Sequence, residues 1–338
     1  MPWGKGMIQK PVNERHMGDT KALTLEDRLY PFILEGVNLR GVLLYATRMV
    51  LSMRANHELG PLETLLLGHA YMAAALISAS LKGKDRMALL VECDGPARGV
   101  SVETNALGDV RGYLLHNPID LEGVPLDDYH LENLWGAGAL SITRYPEGAK
   151  TGFSGKVELE KGSLAMNLAR YYLRSEQTPS AFVLSIKFDR FGKTLGAGGL
   201  FLQTLPGADP IVLEEVENRL VSMQSLGSAL AEGKRPETFL EESFGKFFPR
   251  ILESRDVRFY CPCSAGRFAG FLQALPLKDL EDIAASGPFP VKTTCHNCNT
   301  TYEFSREEVD RLLRNRLKRE GAQRRGGAKD PDANDPAP

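Results

Sequence analysis

Four of the five cysteines in this chain fall into two short-spaced pairs: Cys261-Pro262-Cys263, then 31 residues, then Cys295-His296-Asn297-Cys298. Four thiols arranged as CxC and CxxC make a site for a tetrahedral ion such as zinc, one per chain, held by thiolate bonds of about 2.3 Å. They can equally close into two disulfides. Zinc holds its sulfurs as thiolates near neutral pH, and thiolate is the form that oxidants attack. A cystine sulfur is a poor ligand, so oxidation would expel the ion, and a site with both states available can act as a switch.

The spacing separates several chemistries. A redox-catalytic CxxC of the thioredoxin type sits at a helix start in a βαβ setting, which this sequence lacks, and it needs no second pair. A four-cysteine ribbon that binds nucleic acid or stiffens an enzyme stays open, although such ribbons usually carry two CxxC knuckles. Here the first pair is CxC, which can also close a strained, labile disulfide. His296 lies inside the second pair, but four sulfurs saturate a tetrahedral site, so it reads as an exposed or neighbouring residue. Arg306, Arg311, Arg314, Arg316, Lys318, Arg319, Arg324 and Arg325 follow the cysteines with four acidic residues among them. No stacking aromatics accompany them, so they read as a solvated helix face and basic tail. Cys93, at the end of a strand-like run, reads as a small buried residue. Gly196 to Gly199 is a weak phosphate-loop signal, because a strand rather than a helix N-terminus follows it. No Ser/His/Asp or paired-carboxylate arrangement stands out, and the sequence offers no enzyme site.

The composition sets the frame for these residues. With 338 residues, 43% hydrophobic and 25% charged, the chain can hold a sizeable core and more than one domain. A net charge of -2 gives no global attraction to nucleic acid or to an anionic membrane. No apolar stretch precedes the first charges, so a cytoplasmic location is expected, where clustered cysteines serve as metal ligands or redox sensors. Thr64 to Leu81 runs 18 residues without Asp, Glu, Lys or Arg, at the threshold for a membrane span. Gly68, His69, Ser78 and Ser80 interrupt it, and it is expected to be a buried helix with His69 packed and hydrogen-bonded.

The elements that must position the cysteines follow from periodicity. Asp27 to Thr47 alternates apolar and polar residues as strands joined by a turn, and Arg48 to Glu58 has a helical pattern. Arg86 to Glu92, Gly99 to Glu103, Gly112 to Leu115 and Ala139 to Thr143 are short β-favouring runs between Gly, Pro and Asn turns, the punctuation of an antiparallel sheet. Gly162 to Ser175 reads as an amphipathic helix, and Ala181 to Asp189 and Gly199 to Leu205 read as strands. Between Asp209 and Arg258 the period is helical throughout, from Pro210 to Ala231 and again from Pro236, and the stretch is both charged and amphipathic. Pro276 to Ala285 is a short helix between the cysteine pairs, Thr301 to Phe304 a short strand, and Ser305 with Glu308 a capping box for a last helix. The expected class is α+β. Residues 1–22 form a flexible extension, 23–207 a core domain with a mainly antiparallel sheet and packed helices, and 208–257 a helical linker. Residues 258–320 form a small four-cysteine zinc domain, and 321–338 a disordered tail. That domain has few large apolar side chains, so metal binding must supply much of its folding energy, on the order of 10 kcal/mol.

With these residues in view, the chain resembles the 33-kDa heat-shock protein family of redox-regulated holdase chaperones. The resemblance rests on the order and spacing of the two cysteine pairs, on Cys93-Asp94-Gly95-Pro96, on Arg174-Ser175-Glu176-Gln177 before Pro179, and on Ala197-Gly198-Gly199 with Leu202-Gln203 and Pro206. It implies an ATP-independent holdase, not an enzyme, with zinc on Cys261, Cys263, Cys295 and Cys298 in the reduced, silent form. It further implies disulfides Cys261 with Cys263 and Cys295 with Cys298 in the oxidised form, loss of zinc, and unfolding of the zinc domain and then the linker. The partners implied are unfolded client proteins and a second copy of the chain in the activated homodimer, with no nucleic acid and no membrane. The alternative reading is a zinc-ribbon nucleic-acid-binding protein.

Overall fold

The computed structural model describes residues 7, 9–12, 15–121 and 134–326. It contains α-helices and mixed sheets, an α+β fold. Near the start, the alternating stretch folds into β1 (Arg28–Leu34) and β2 (Leu39–Tyr45), followed by α1 (Thr47–His57) and α2 (Pro61–Ser78). Then come β3 (Arg86–Cys93), β4 (Gly99–Asn105), β5 (Asp109–Leu114), β6 (Gly138–Tyr145) and β7 (Phe153–Glu158). After α3 (Leu164–Ser175) lie β8 (Ser180–Phe188) and β9 (Thr194–Thr204). The short, weakly apolar β7 carries no clean alternation, and only pairing with β6 makes it a strand.

Two sheets result, with strand orders β10-β1-β2-β9-β8 and β12-β5-β4-β3-β6-β7, where β10 is Pro249–Ile251, β11 is Arg255–Asp256 and β12 is Arg258–Phe259. β11 also joins the first sheet, on β1. All pairings in both sheets are antiparallel except β12 with β5, which is parallel. α2 packs against both sheets, and Leu66, Leu67 and Ala70 to Ile77 are almost wholly buried. That double burial explains its long uncharged run: among the described residues no helix is long and apolar enough to cross a membrane.

The stretch 208–257 is not helical throughout. It forms α4 (Pro210–Ser222), α5 (Leu226–Ala231) and α6 (Pro236–Phe244), then turns into β10 and β11 on the edge of β1. An unpaired strand edge offers backbone groups that outcompete continued helix. Ser225 caps α5 by accepting from Ser228 N, which restarts the helix where a single one was expected. The apolar faces of these helices are in the core: Leu226, Leu230, Phe239, Leu240 and Phe244 cluster with Phe32, Leu34, Leu43, Tyr45 and Leu200. α4 is held more lightly, with Val216 its one buried residue and Ile211 and Val221 exposed. The glycines of 196–199 belong to this packing rather than to any phosphate. A Cβ on Gly196 would stand 2.3 Å from Gly227 O of α5, so the strand needs glycine for the helix to lie on it.

By contacts the chain divides into two compact units. The larger comprises Gln9–Cys261 with His296–Cys298, and the smaller is built on Pro262–Cys295 and the chain from Asn299. The smaller holds α7 (Ala265–Ala274), α8 (Leu277–Ser286), the hairpin of β13 (Val291–Thr294) and β14 (Thr301–Phe304), and α9 (Arg306–Gly326). α7 and β13 carried no clear signal in the sequence. Ser264 caps α7 by accepting from Arg267 N. The capping box at the start of α9 is present in both directions: Ser305 N donates to Glu308 Oε2 at 2.9 Å and Glu308 N to Ser305 Oγ at 3.3 Å. Among the described residues of the smaller unit, Leu280, Phe304 and Val309 are fully buried and Ala269, Leu272, Ala284, Tyr302 and Leu312 nearly so, a small core. α9 continues through 321–326, part of the stretch expected to lack structure, while 327–338 lie outside the described residues.

In the larger unit the described residues before Ala22 are tied down by specific bonds. Met17 bridges Thr194 of β9, Thr194 N donates to His16 O at 2.9 Å, and Lys10 Nζ meets Glu58 at 2.7 Å. Arg54, 4% exposed, donates to the carbonyls of His16, Gly192 and Leu59 and to Thr194 Oγ1. A buried guanidinium satisfied by carbonyl groups is a structural clamp.

Candidate metal centre

The two cysteine pairs reach one place by different routes. β12 pairs in parallel with β5, setting Arg258 beside Asp109 and Phe259 beside Val110, and Tyr260 N extends the ladder by donating to Val110 O at 3.0 Å. Cys261 therefore leaves the sheet next to Arg111, and Cys263 follows immediately before the cap of α7. The second pair sits on the turn that joins β13 to β14. Cys295 N donates to Thr300 O at 2.9 Å, Asn299 N donates to Cys295 O at 2.7 Å, and Asn299 takes the left-handed conformation (φ 53°) that closes the knuckle.

The Sγ atoms of Cys261, Cys263, Cys295 and Cys298 all lie within 4.8 Å of one another. All four residues are buried, none more than 7% exposed, and no disulfide links them. A tetrahedron with metal–sulfur bonds of about 2.3 Å has sulfurs about 3.8 Å apart, so the cluster fits an ion with only small closure of its edges. Four buried thiols at this separation could hold a metal ion, and as thiolates they would repel one another strongly without one.

Polar neighbours reach the cluster's sulfurs and backbone. Arg111 Nη1 donates to Cys261 Sγ at 3.6 Å, and the Tyr302 hydroxyl lies 3.1 Å from Cys263 Sγ. The Asn56 side-chain amide donates to Cys298 O at 3.1 Å, and Gly112 N donates to Asn297 O at 3.3 Å. His296 is exposed and its ring tilts over Tyr113 with centroids 5.4 Å apart, so it stands beside the sulfurs' loop rather than among them. Sequence reasoning missed Arg111, Tyr302 and Asn56. Arg111 and Asn56 lie on a strand and a helix more than a hundred residues away, and no local spacing marks them.

Other singled-out residues are placed elsewhere. Cys93 ends β3 partly exposed rather than buried, and desolvation pushes its thiol up from the ordinary range. His69 is packed on α2 as expected, but its Nε2 is shut off from solvent with no hydrogen-bond partner, and burial pushes the imidazole down to about 4. His57, in α1, is likewise pushed down to about 4 by burial. The basic residues after the cysteines lie on α9, where Arg316 pairs with Glu320, Arg311 with Glu308, and Arg306 stacks over Phe289.

Comparison with known proteins places this arrangement. The family profile described as Hsp33 protein matches residues 27–305. The 33 kDa chaperonin of Desulforamulus reducens is 34% identical, the match covering 86% of this chain and 98% of that protein. The 33 kDa chaperonin of Agathobacter rectalis is 32% identical over 81% of this chain and 95% of its own length. The crystal structure of the 33 kDa chaperonin from Thermotoga maritima superposes with a TM-score of 0.75 at 29% identity, over 87% of this chain and 100% of that one.

Proposed function

Because the chain belongs to the Hsp33 family, we propose that it is a redox-regulated, ATP-independent holdase, silent when reduced and activated by oxidation of its four clustered cysteines. The observation that carries this reading is the meeting of Cys261, Cys263, Cys295 and Cys298 within 4.8 Å in buried positions. They are the zinc ligands, one ion per chain, of a zinc domain over residues 258–320. Bound zinc supplies a structural cross-link that a core this small needs, and it keeps the sulfurs as thiolates.

On oxidation by a peroxide, Cys261 pairs with Cys263 and Cys295 with Cys298. Each pair of thiolates gives up two electrons to one peroxide as its S–S bond forms and the O–O bond breaks, and the two oxygens take up two protons from solvent to leave as two waters. No thiolate is then left to hold the ion, and the zinc domain loses its main source of stability. The linker, residues 208–257, follows. Its apolar faces, with Leu226, Leu230, Phe239 and Phe244 against the sheet, are the surface that unfolding clients would meet, together with the sheet face they cover. Client proteins are the partners, the active form is a homodimer, and the cytoplasm, normally reducing, is where such a switch would rest in its zinc-bound state.

The test is aggregation of a heat-unfolded client followed by light scattering. Peroxide-treated protein should suppress it, reduced zinc-loaded protein should not, and activation should coincide with the loss of four thiols and the release of about one zinc per chain. Equal suppression by both forms would end redox control, and no suppression by either would end holdase function. The alternative, a nucleic-acid-binding ribbon, instead predicts salt-dependent binding weakened by neutralising Arg314, Arg316 and Arg319.

A further inference from the structure

Arg111 stands on β5 between a carboxylate and a sulfur. Antiparallel pairing sets Glu103 of β4 directly opposite Arg111. Nε and Nη2 both donate to Glu103 Oε2, at 2.9 and 2.5 Å. That leaves Nη1 pointing away from the carboxylate, and it donates to Cys261 Sγ at 3.6 Å, within the longer reach of a hydrogen bond to sulfur. The Arg111 side chain is 22% exposed, so the contact is partly withdrawn from water. Parallel pairing of β12 with β5 is what brings Cys261 to this spot.

The chemistry follows from charge. Four thiolates around a divalent cation carry a net charge of two negatives, and a fixed guanidinium beside one of them offsets part of it. An N–H···S bond also draws electron density from the sulfur lone pair. That lone pair is what attacks a peroxide, forming an S–O bond, breaking the O–O bond and releasing hydroxide. It also attacks an alkyl iodide, forming an S–C bond and releasing iodide. Arginine stays charged at any physiological pH, so the effect is constant, and its planar fork lets it hold Glu103 and reach the sulfur at once.

We propose that Arg111 is a positioning residue of the metal centre, its Glu103-oriented guanidinium capping the Cys261 sulfur and making that ligand less reactive toward oxidants and alkylating agents. The inference rests on the reading that the four cysteines hold a metal ion.

The experiment uses the full chain loaded with cobalt(II) in place of zinc, and the zinc-loaded chain under brief iodoacetamide treatment with site-resolved mass spectrometry. Wild type should show a four-thiolate charge-transfer band. In Arg111→Gln the band should move to lower energy, and alkylation of Cys261 relative to Cys263, Cys295 and Cys298 should rise about tenfold, the scale of one charge-assisted hydrogen bond. Arg111→Lys, which keeps the charge and loses the fork, should fall between the two. An unchanged Cys261 ratio overturns the proposal, and so does an equal rise at all four cysteines, which would mean only a looser domain. If Arg111→Gln does not fold, Arg111→Lys carries the same comparison, and an unchanged ratio there overturns it. A wild-type chain without a four-thiolate spectrum overturns the metal reading and this inference with it, whereas a normal spectrum with no response to Arg111 overturns this inference alone.

Discussion

The side-chain amide of Asn56, fully buried in α1, donates to the backbone carbonyl of Cys298 at 3.1 Å while its oxygen accepts from Lys10 N at 3.1 Å. One amide thus fixes the turn that carries a cluster cysteine and ties down the chain ahead of the family match, which begins at residue 27. Asn56→Ala leaves a buried carbonyl and a backbone N–H to find other partners, at a cost of about 1–3 kcal/mol. If the four cysteines hold zinc as proposed, this variant should release it at a lower peroxide dose, read with a zinc-binding dye beside thiol titration. An unchanged dose would show that the Cys298 turn is held well enough without it.

Phe239 lies 1% exposed in the cluster where α5 and α6 meet the first sheet, beside Phe32 and Phe244, whose rings stack with centroids 6.4 Å apart. Phe239→Ala removes a large buried ring and should cost about 3–5 kcal/mol. If the linker's apolar face is what clients meet, this variant should suppress client aggregation without oxidant while keeping its zinc and four thiols. A destabilised variant that stays silent until oxidised would separate linker packing from holdase activity.

His69 gives the fold a pH dependence. Burial holds its imidazole near 4, against an ordinary 6.5, so the unfolded chain takes up a proton below 6.5 that the folded chain refuses until about 4. Folded-state stability therefore falls as the pH drops from 6.5 to 4 and changes no further from this group below that. Between pH 7 and pH 5, His69→Leu should lose about 2 kcal/mol less than wild type, less still where the partly exposed edge of the ring is hydrated. Urea unfolding midpoints at the two pH values measure it, and parallel losses in both proteins would show that His69 is accommodated as a cation.

Much of the fold was legible because its signals are local. The uncharged run of α2, the alternation of β1 to β4 and the Ser305–Glu308 box each involve neighbours within one element, and each formed as its spacing implied. The stretch 249–256 did not, since its strands exist only because β1 leaves an edge open. β7 and β13 likewise depend on a partner strand. The glycines at 196–199 read weakly as a phosphate loop, but their meaning lay in α5, thirty residues on, whose backbone needs the space.

The sequence by itself determined the four cysteines, their pairing by spacing, and the amphipathic stretch beside them, because ligand type and helical period are written in consecutive residues. Tertiary structure decided that all four sulfurs meet, that the apolar faces of α5 and α6 are buried in the sheet, and that Arg111, Tyr302 and Asn56 reach the cysteine cluster. Those contacts are set by strand register and helix packing, above all the parallel step of β12 onto β5, and a hydrogen bond across such a step depends on distance in space, which the order of residues does not record.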